Sequence, residues 1–152
     1  MDSRRIQDLR WRPYLDRLPF DHMMPQELPL WRRFIRLQDD RFTEIVYDVH
    51  VGAGATITFT KDPVVVAWAK HLTQLRIDVL GRRSSQLTVV EVRRFPGLAS
   101  FGQVLGYATL FRRDFHYTGV LRKLLVCEFI TDDLRWLARR ARVEVVVVPL
   151  EV

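Results

Sequence analysis

Apolar and polar residues alternate from Phe42 to Val51, with Ile45, Tyr47 and Val49 on one side and Glu44, Val46, Asp48 and His50 on the other, which predicts a strand. Gly52-Ala53-Gly54 ends it. A short helix is expected before it over Leu30–Gln38, and Asp62-Pro63, an N-cap followed by a first-turn proline, opens another running to about His71. Leu75–Gly81 and Leu87–Arg94 read as two strands joined at Ser84-Ser85, with Phe95-Pro96-Gly97 as a stop. A helix from Leu98 to about Arg113 follows, then a buried strand over Leu121–Phe129. Thr131, with Asp132 and Asp133 in the first turn, starts a last helix to about Ala141. Val143–Val148, nearly continuous valine, is expected as a strand covered on both faces. Pro13, Pro19, Pro25 and Pro29 forbid a long helix or a central strand in residues 1–30, which read as an N-terminal arm on a single domain spanning 31–152. The element order implies an α/β fold (mixed α+β), a central mixed sheet with an antiparallel hairpin flanked by helices.

The hairpin carries the chemistry. With Ser84-Ser85 as the loop, residues whose numbers add to 169 oppose each other, which sets Asp78 against Glu91. Two like charges at one place destabilise a sheet unless a cation lies between them. Side chains two apart on a strand share a face, so Arg93 is expected beside Glu91 and Arg76 beside Asp78, giving two negative and two positive groups in one patch. On the following helix Ser100, Gln103 and Tyr107 form a polar stripe opposite Phe101, Val104, Leu105 and Ala108, able to border that patch.

Composition narrows the partners. At 152 residues the chain fits one domain with a real core. Lys61, Lys70 and Lys123 are its only lysines, so 24 − 3 = 21 of the basic residues are arginine, and the net charge is +6. Arginine favours bidentate contacts to phosphate or carboxylate, which makes nucleic acid or an acidic protein surface a plausible neighbour. Cys127 is the lone cysteine, so no internal disulfide can form. The start lacks the apolar core of a signal peptide and no stretch has the 18 or so apolar residues of a membrane span, so neither export nor membrane insertion is expected. His22, His50, His71 and His116 show no metal-ligand spacing, and Asp48 and His50, on one strand face, could be catalytic or merely solvated.

Arg76-Ile77-Asp78, the short hairpin, Val90-Glu91-Val92-Arg93 and a helix bearing Gln103 and Tyr107 together resemble the PD-(D/E)XK nuclease superfamily, and in particular its small phage-encoded members. The resemblance implies a restriction-endonuclease-like fold over residues 63–148. It further implies Asp78 and Glu91 as ligands of Mg²⁺ or Mn²⁺, a lysine two residues beyond the second acid that polarises the attacking water, and Gln103 in support. This chain has Arg93 where that lysine stands. A guanidinium stays protonated and binds carboxylates through a planar fork, whereas a lysine amine can lose its proton. The expectation is therefore a degenerate site, Asp78, Glu91, Arg93 and Gln103, that needs no cofactor. The chain would then be a non-catalytic structural or assembly component of a phage particle or another large complex, near DNA, docked on other subunits through residues 1–30 and located in the cytoplasm or a virion. The alternative is an Mg²⁺-dependent DNA endonuclease in which Arg93 replaces the lysine, and a third reading is a DNA-binding module that does not cut.

Overall fold

A computed structural model describes residues 4–149 apart from Leu18 and Asp21, so the first three residues of the expected arm lie outside the described part. After a 3-10 turn at Ile6–Asp8 come β1 (Arg12–Pro13), α1 (Leu28–Leu37), β2 (Glu44–Val51), α2 (Pro63–Thr73), β3 (Leu75–Arg83), β4 (Gln86–Val92), α3 (Leu98–Asp114), β5 (Leu121–Cys127), α4 (Asp132–Arg140) and β6 (Val143–Val147). The six strands form one sheet in sequence order. β1 to β4 are antiparallel neighbours, whereas β4, β5 and β6 run parallel, each step crossing over through a helix.

Two cores follow from that sheet. Leu30, Trp31, Phe34 and Ile35 recur at helical spacing on α1 and bury against Val79, Val90, Val92, Leu124 and Val126 on one face. On the other, Val104, Tyr107, Ala108 and Phe111 of α3 and Ala138 of α4 cover Ile77, Leu87, Val89 and Leu125. Trp31 donates its indole N–H to the Tyr47 hydroxyl at 2.8 Å, satisfying a polar group inside the first core. α1 is tied to the far strands by a buried pair, Arg33 to Glu128 at 3.0 Å, and Glu128 also accepts from Arg94 at 3.1 Å.

The caps and turns agree with the sequence. Asp62 Oδ1 accepts from the Val64 N–H and Thr131 Oγ1 from that of Leu134. Gly52 and Gly54 take positive φ of 83° and 71°. The hairpin pairs Val79 with Val90 and Arg83 with Gln86, so the expected sum of 169 holds.

Three features differ. β6 lies at the edge of the sheet beside β5: as expected its valines meet both cores, Val143 and Val145 on the α3 side and Val146 on the α1 side, but Glu144 and Val147 are exposed at this edge. The described arm residues belong to the domain, with Tyr14 in the α1-side core, Ile6, Leu9 and Trp11 against the α3-side core, and β1 adding a strand to β2. The alternation of β2 also breaks. Ile45 and Tyr47 lie in the α1-side core but Val49 joins the α3 side, because Asp48 between them adopts φ 55° and turns the pleat.

Close packing makes one glycine of β3 necessary. A Cβ on Gly81 would sit 2.5 Å from the buried Phe42 ring. Gly81→Ala is expected to cost about 1–3 kcal/mol, the scale of core overpacking, read as a lower urea midpoint with an unchanged m-value.

Candidate active site

Pairing on both sides of β3 stops at the same residue. The β2–β3 ladder runs through Tyr47 with Val79 and resumes at Val49 with Ile77, omitting Asp48 and Asp78, while the β3–β4 ladder ends at Val79 with Val90. Asp78 thus sits where the sheet opens. Its Oδ2 accepts the Val92 backbone N–H at 2.9 Å, so the carboxylate does the work of a missing strand bond.

Glu91 points from β4 toward α3 with a side chain only 2 % exposed. Its Oε1 accepts from Arg93 Nη2 at 2.7 Å, and Arg93 Nη1 donates to Glu27 Oε1 at 2.8 Å. Glu27 immediately precedes α1, makes no side-chain cap bond to it and is almost fully buried. One guanidinium is therefore shared by two glutamates, and Asp78 and Glu91 lie close enough to share a hydrogen bond with each other. Arg76 does not join them. It turns to Asp48, with Nη1 3.5 Å from Oδ1.

The expected balance of two charges against two is thus corrected by the structure. Glu27, Asp78 and Glu91 carry three potential negative charges around a single arginine, and Asp48 holds the other one. The consequence is visible in the acids. Burial raises Asp78, with the Val92 N–H opposing, and burial raises Glu27 against the pull of Arg93. Burial and then the Asp78 charge push Glu91 up to about 8. Burial alone would lower Arg93, but its hydrogen bond to Glu91 and the surrounding acids raise it, so it stays a fixed cation. From α3, Gln103 hydrogen-bonds Tyr107, whose hydroxyl is raised first by burial and then by Glu91 and Asp78. Gln103 and Tyr107 therefore border the acids, but Ser100 and Tyr107 lie on the buried side of α3 with Val104 and Ala108, not on a separate polar face opposite them.

Beside this group lies a second one, of which sequence spacing singled out Asp48 and His50 but not their partners. Asp48 Oδ2 is 3.4 Å from both His22 Nε2 and His50 Nε2, and the His71 ring lies 5.5 Å from that of His50. Gln74 donates to the Gly52 carbonyl at 2.8 Å and its Oε1 meets His50 Nδ1 at 3.2 Å, which orients the imidazole. A groove of about 420 Å³, lined in part by Arg4, Arg5, Arg10, Asp48 and His50, opens onto this side. Glu27 and His22 lie in the proline-broken segment, and no local pattern there marks them. The positive φ of Asp48 is equally silent in sequence.

No protein-family model matches the chain, and no curated protein matches it. Among solved structures the chain is similar to EndoMS in an EndoMS–dsDNA complex, at 16 % identity and a TM-score of 0.50, over 90 % of this chain and 50 % of that one. It is also similar to a repair endonuclease from Pyrococcus abyssi, at 14 % identity and a TM-score of 0.49, over 87 % of this chain and 50 % of that one. The chain spans half the length of each. At such identity the EndoMS likeness is one of fold: this is a mixed α/β domain with a nuclease-like fold.

The raised Glu91 sets a pH dependence. The unfolded chain sheds that proton near 4.5, the folded chain near 8, so unfolding releases a proton between these values and the contribution to stability declines as pH rises through the folded value. In EDTA, the melting temperature should fall from pH 5.5 to 8. Glu91→Gln, which mimics the protonated acid, should flatten that fall and melt several degrees above the parent at pH 8, at about 2–4 °C per kcal/mol for a domain of this size. Parallel melting curves for the two proteins would contradict the assignment.

Proposed function

We propose that the chain is a divalent-metal-dependent DNA endonuclease domain with Asp78 and Glu91 as metal ligands and Arg93 in the lysine's place. The observation that carries this reading is the surplus of buried carboxylate at the opening of the sheet, which one guanidinium leaves uncompensated. Among the described residues no group of three or more His, Cys, Asp or Glu is placed to hold a metal by itself. That suits magnesium, which is commonly held by one or two carboxylates with water and substrate phosphate completing the shell. The donor set fits on chemistry as well, being hard oxygens in a place that lacks positive charge. When bound, Mg²⁺ or Mn²⁺ would supply Lewis-acid charge to the phosphodiester and an acidified water.

The residues around it have separate tasks in this reading. Glu27 and Glu91 hold two arms of Arg93, whose side chain stays 34 % exposed, and in this reading its fixed charge stabilises charge developing on a phosphate. Gln103 orients Tyr107 against the acids. The groove reaching Asp48 brings Arg4, Arg5 and Arg10 together with Asp8 and Asp48, and its arginines can meet a nucleic-acid backbone. The relation to EndoMS, which is bound to double-stranded DNA in its structure, supports DNA as the substrate class.

The assembly reading loses a support, since its arm was to dock on a neighbour and the described arm residues pack on their own sheet. What still favours a non-cutting protein is Arg93 itself, hydrogen-bonded to an acid that would have to receive the metal. Plasmid and labelled duplex nicking with Mg²⁺ and Mn²⁺ separates the two. Asp78→Ala is expected to lower cleavage at least about 100-fold and Arg93→Ala comparably, the scale of losing one charge-stabilising group. Arg93→Lys should keep measurable cutting. Absence of cleavage of any DNA form across metals, alongside binding that weakens steeply with salt, would leave a DNA-binding module in its place.

A further inference from the structure

The least satisfied element of the fold is α2, which is apolar from Pro63 to Ala69 yet has no buried residue. Val64 is 67 % exposed, Trp68 66 % and Leu72 66 %, at positions i, i+4 and i+8, and the half-exposed Val65 completes a stripe about a quarter-turn wide. Phe59 in the preceding loop is 82 % exposed. A helix with such a face is ordinarily covered, and exposed apolar patches of this extent mark interaction sites.

We propose that the α2 stripe is the interface of a homodimer, its occupant the same stripe of a second copy. Three observations select a second copy. The stripe is centred on Trp68, the midpoint of the Pro63–Thr73 helix, so a two-fold axis there stacks Trp68 on its equivalent and sets Val64 of one copy against Leu72 of the other, giving a self-complementary antiparallel pair. The chain carries +6, and two copies approach best where arginine is absent. No arginine lies between Arg41 and Arg76, the longest such interval in the sequence, and Lys70 falls on the opposite side of the helix from the stripe. The area is that of a weak pair, since Val64, Val65, Trp68 and Leu72 expose on the order of 400 Å² per copy and two copies would bury roughly 800 Å², the scale of a transient interface. A duplex or an acidic protein would instead require cations along the stripe, which carries no lysine or arginine; its polar groups are the Trp68 indole N–H and, at its edge, His71.

The proposal is independent of cleavage and is tested by mass. Sedimentation equilibrium on the full chain should show the mass rising from 18.0 kDa to twice that over the micromolar range. Trp68→Glu should raise the dissociation constant on the order of 100-fold, as expected of a central aromatic anchor, and Val64→Glu should act in the same direction. Trp136→Glu, which changes an exposed tryptophan on α4, should leave the dimer intact. A single-chain mass for the parent up to several hundred micromolar would overturn the proposal. So would a dimer indifferent to both stripe variants, or a single-chain mass combined with lost DNA affinity in Trp68→Glu, which would assign the stripe to nucleic acid.

Discussion

The sharing of one guanidinium between two buried glutamates governs this protein. Arg93 reaches Glu91 within its own strand and Glu27 at the head of α1, so the same contact that relieves the acids also pins α1 to the open end of the sheet. A buried acid is tolerated only with a partner, and here the partner is divided. The remaining charge is relieved by a retained proton on Glu91 and by the Val92 N–H on Asp78. A site arranged in this way has an appetite for positive charge, and this links the packing of α1 to the chemistry proposed for the hairpin.

Around that contact the backbone is irregular where function would need it. Asp48 and Asp78 are the residues omitted from an otherwise continuous ladder, and Asp48 holds a left-handed conformation in the middle of a strand. Such a conformation costs of order 1–3 kcal/mol and persists where the surroundings enforce it. The surroundings are His22, His50 and Arg76, drawn from three segments. The sheet therefore surrenders one rung and gains two adjoining polar clusters on one side of its open end.

The nuclease-like fold and the acidic site are separate findings with separate warrants. Likeness to EndoMS rests on the course of the backbone, at an identity too low to carry residues across. The acids stand on their own geometry. The assembly function expected from the arm and from Arg93 rested on a balanced patch, and the balance vanished once Arg76 was found on Asp48 and Glu27 on Arg93.

Much of the architecture was written in local pattern. The caps at Asp62 and Thr131, the two-residue loop at Ser84-Ser85 and the hairpin register that brings Asp78 near Glu91 follow from spacing and turn chemistry, because hairpin register and helix starts are decided by residues near one another in the chain. Gln103 and Tyr107 beside the acids were legible for the same reason, but not the buried side that Tyr107 shares with Val104 and Ala108. What sequence alone could not determine was which distant groups would meet. Glu27 lies 66 residues from Arg93 and His22 lies in a segment without periodicity, so only the folded chain brings them to the site. The exposure of α2 and the edge position of β6 were likewise decided by tertiary structure, since an apolar run states what a segment would bury and leaves open whether a neighbour is there to cover it.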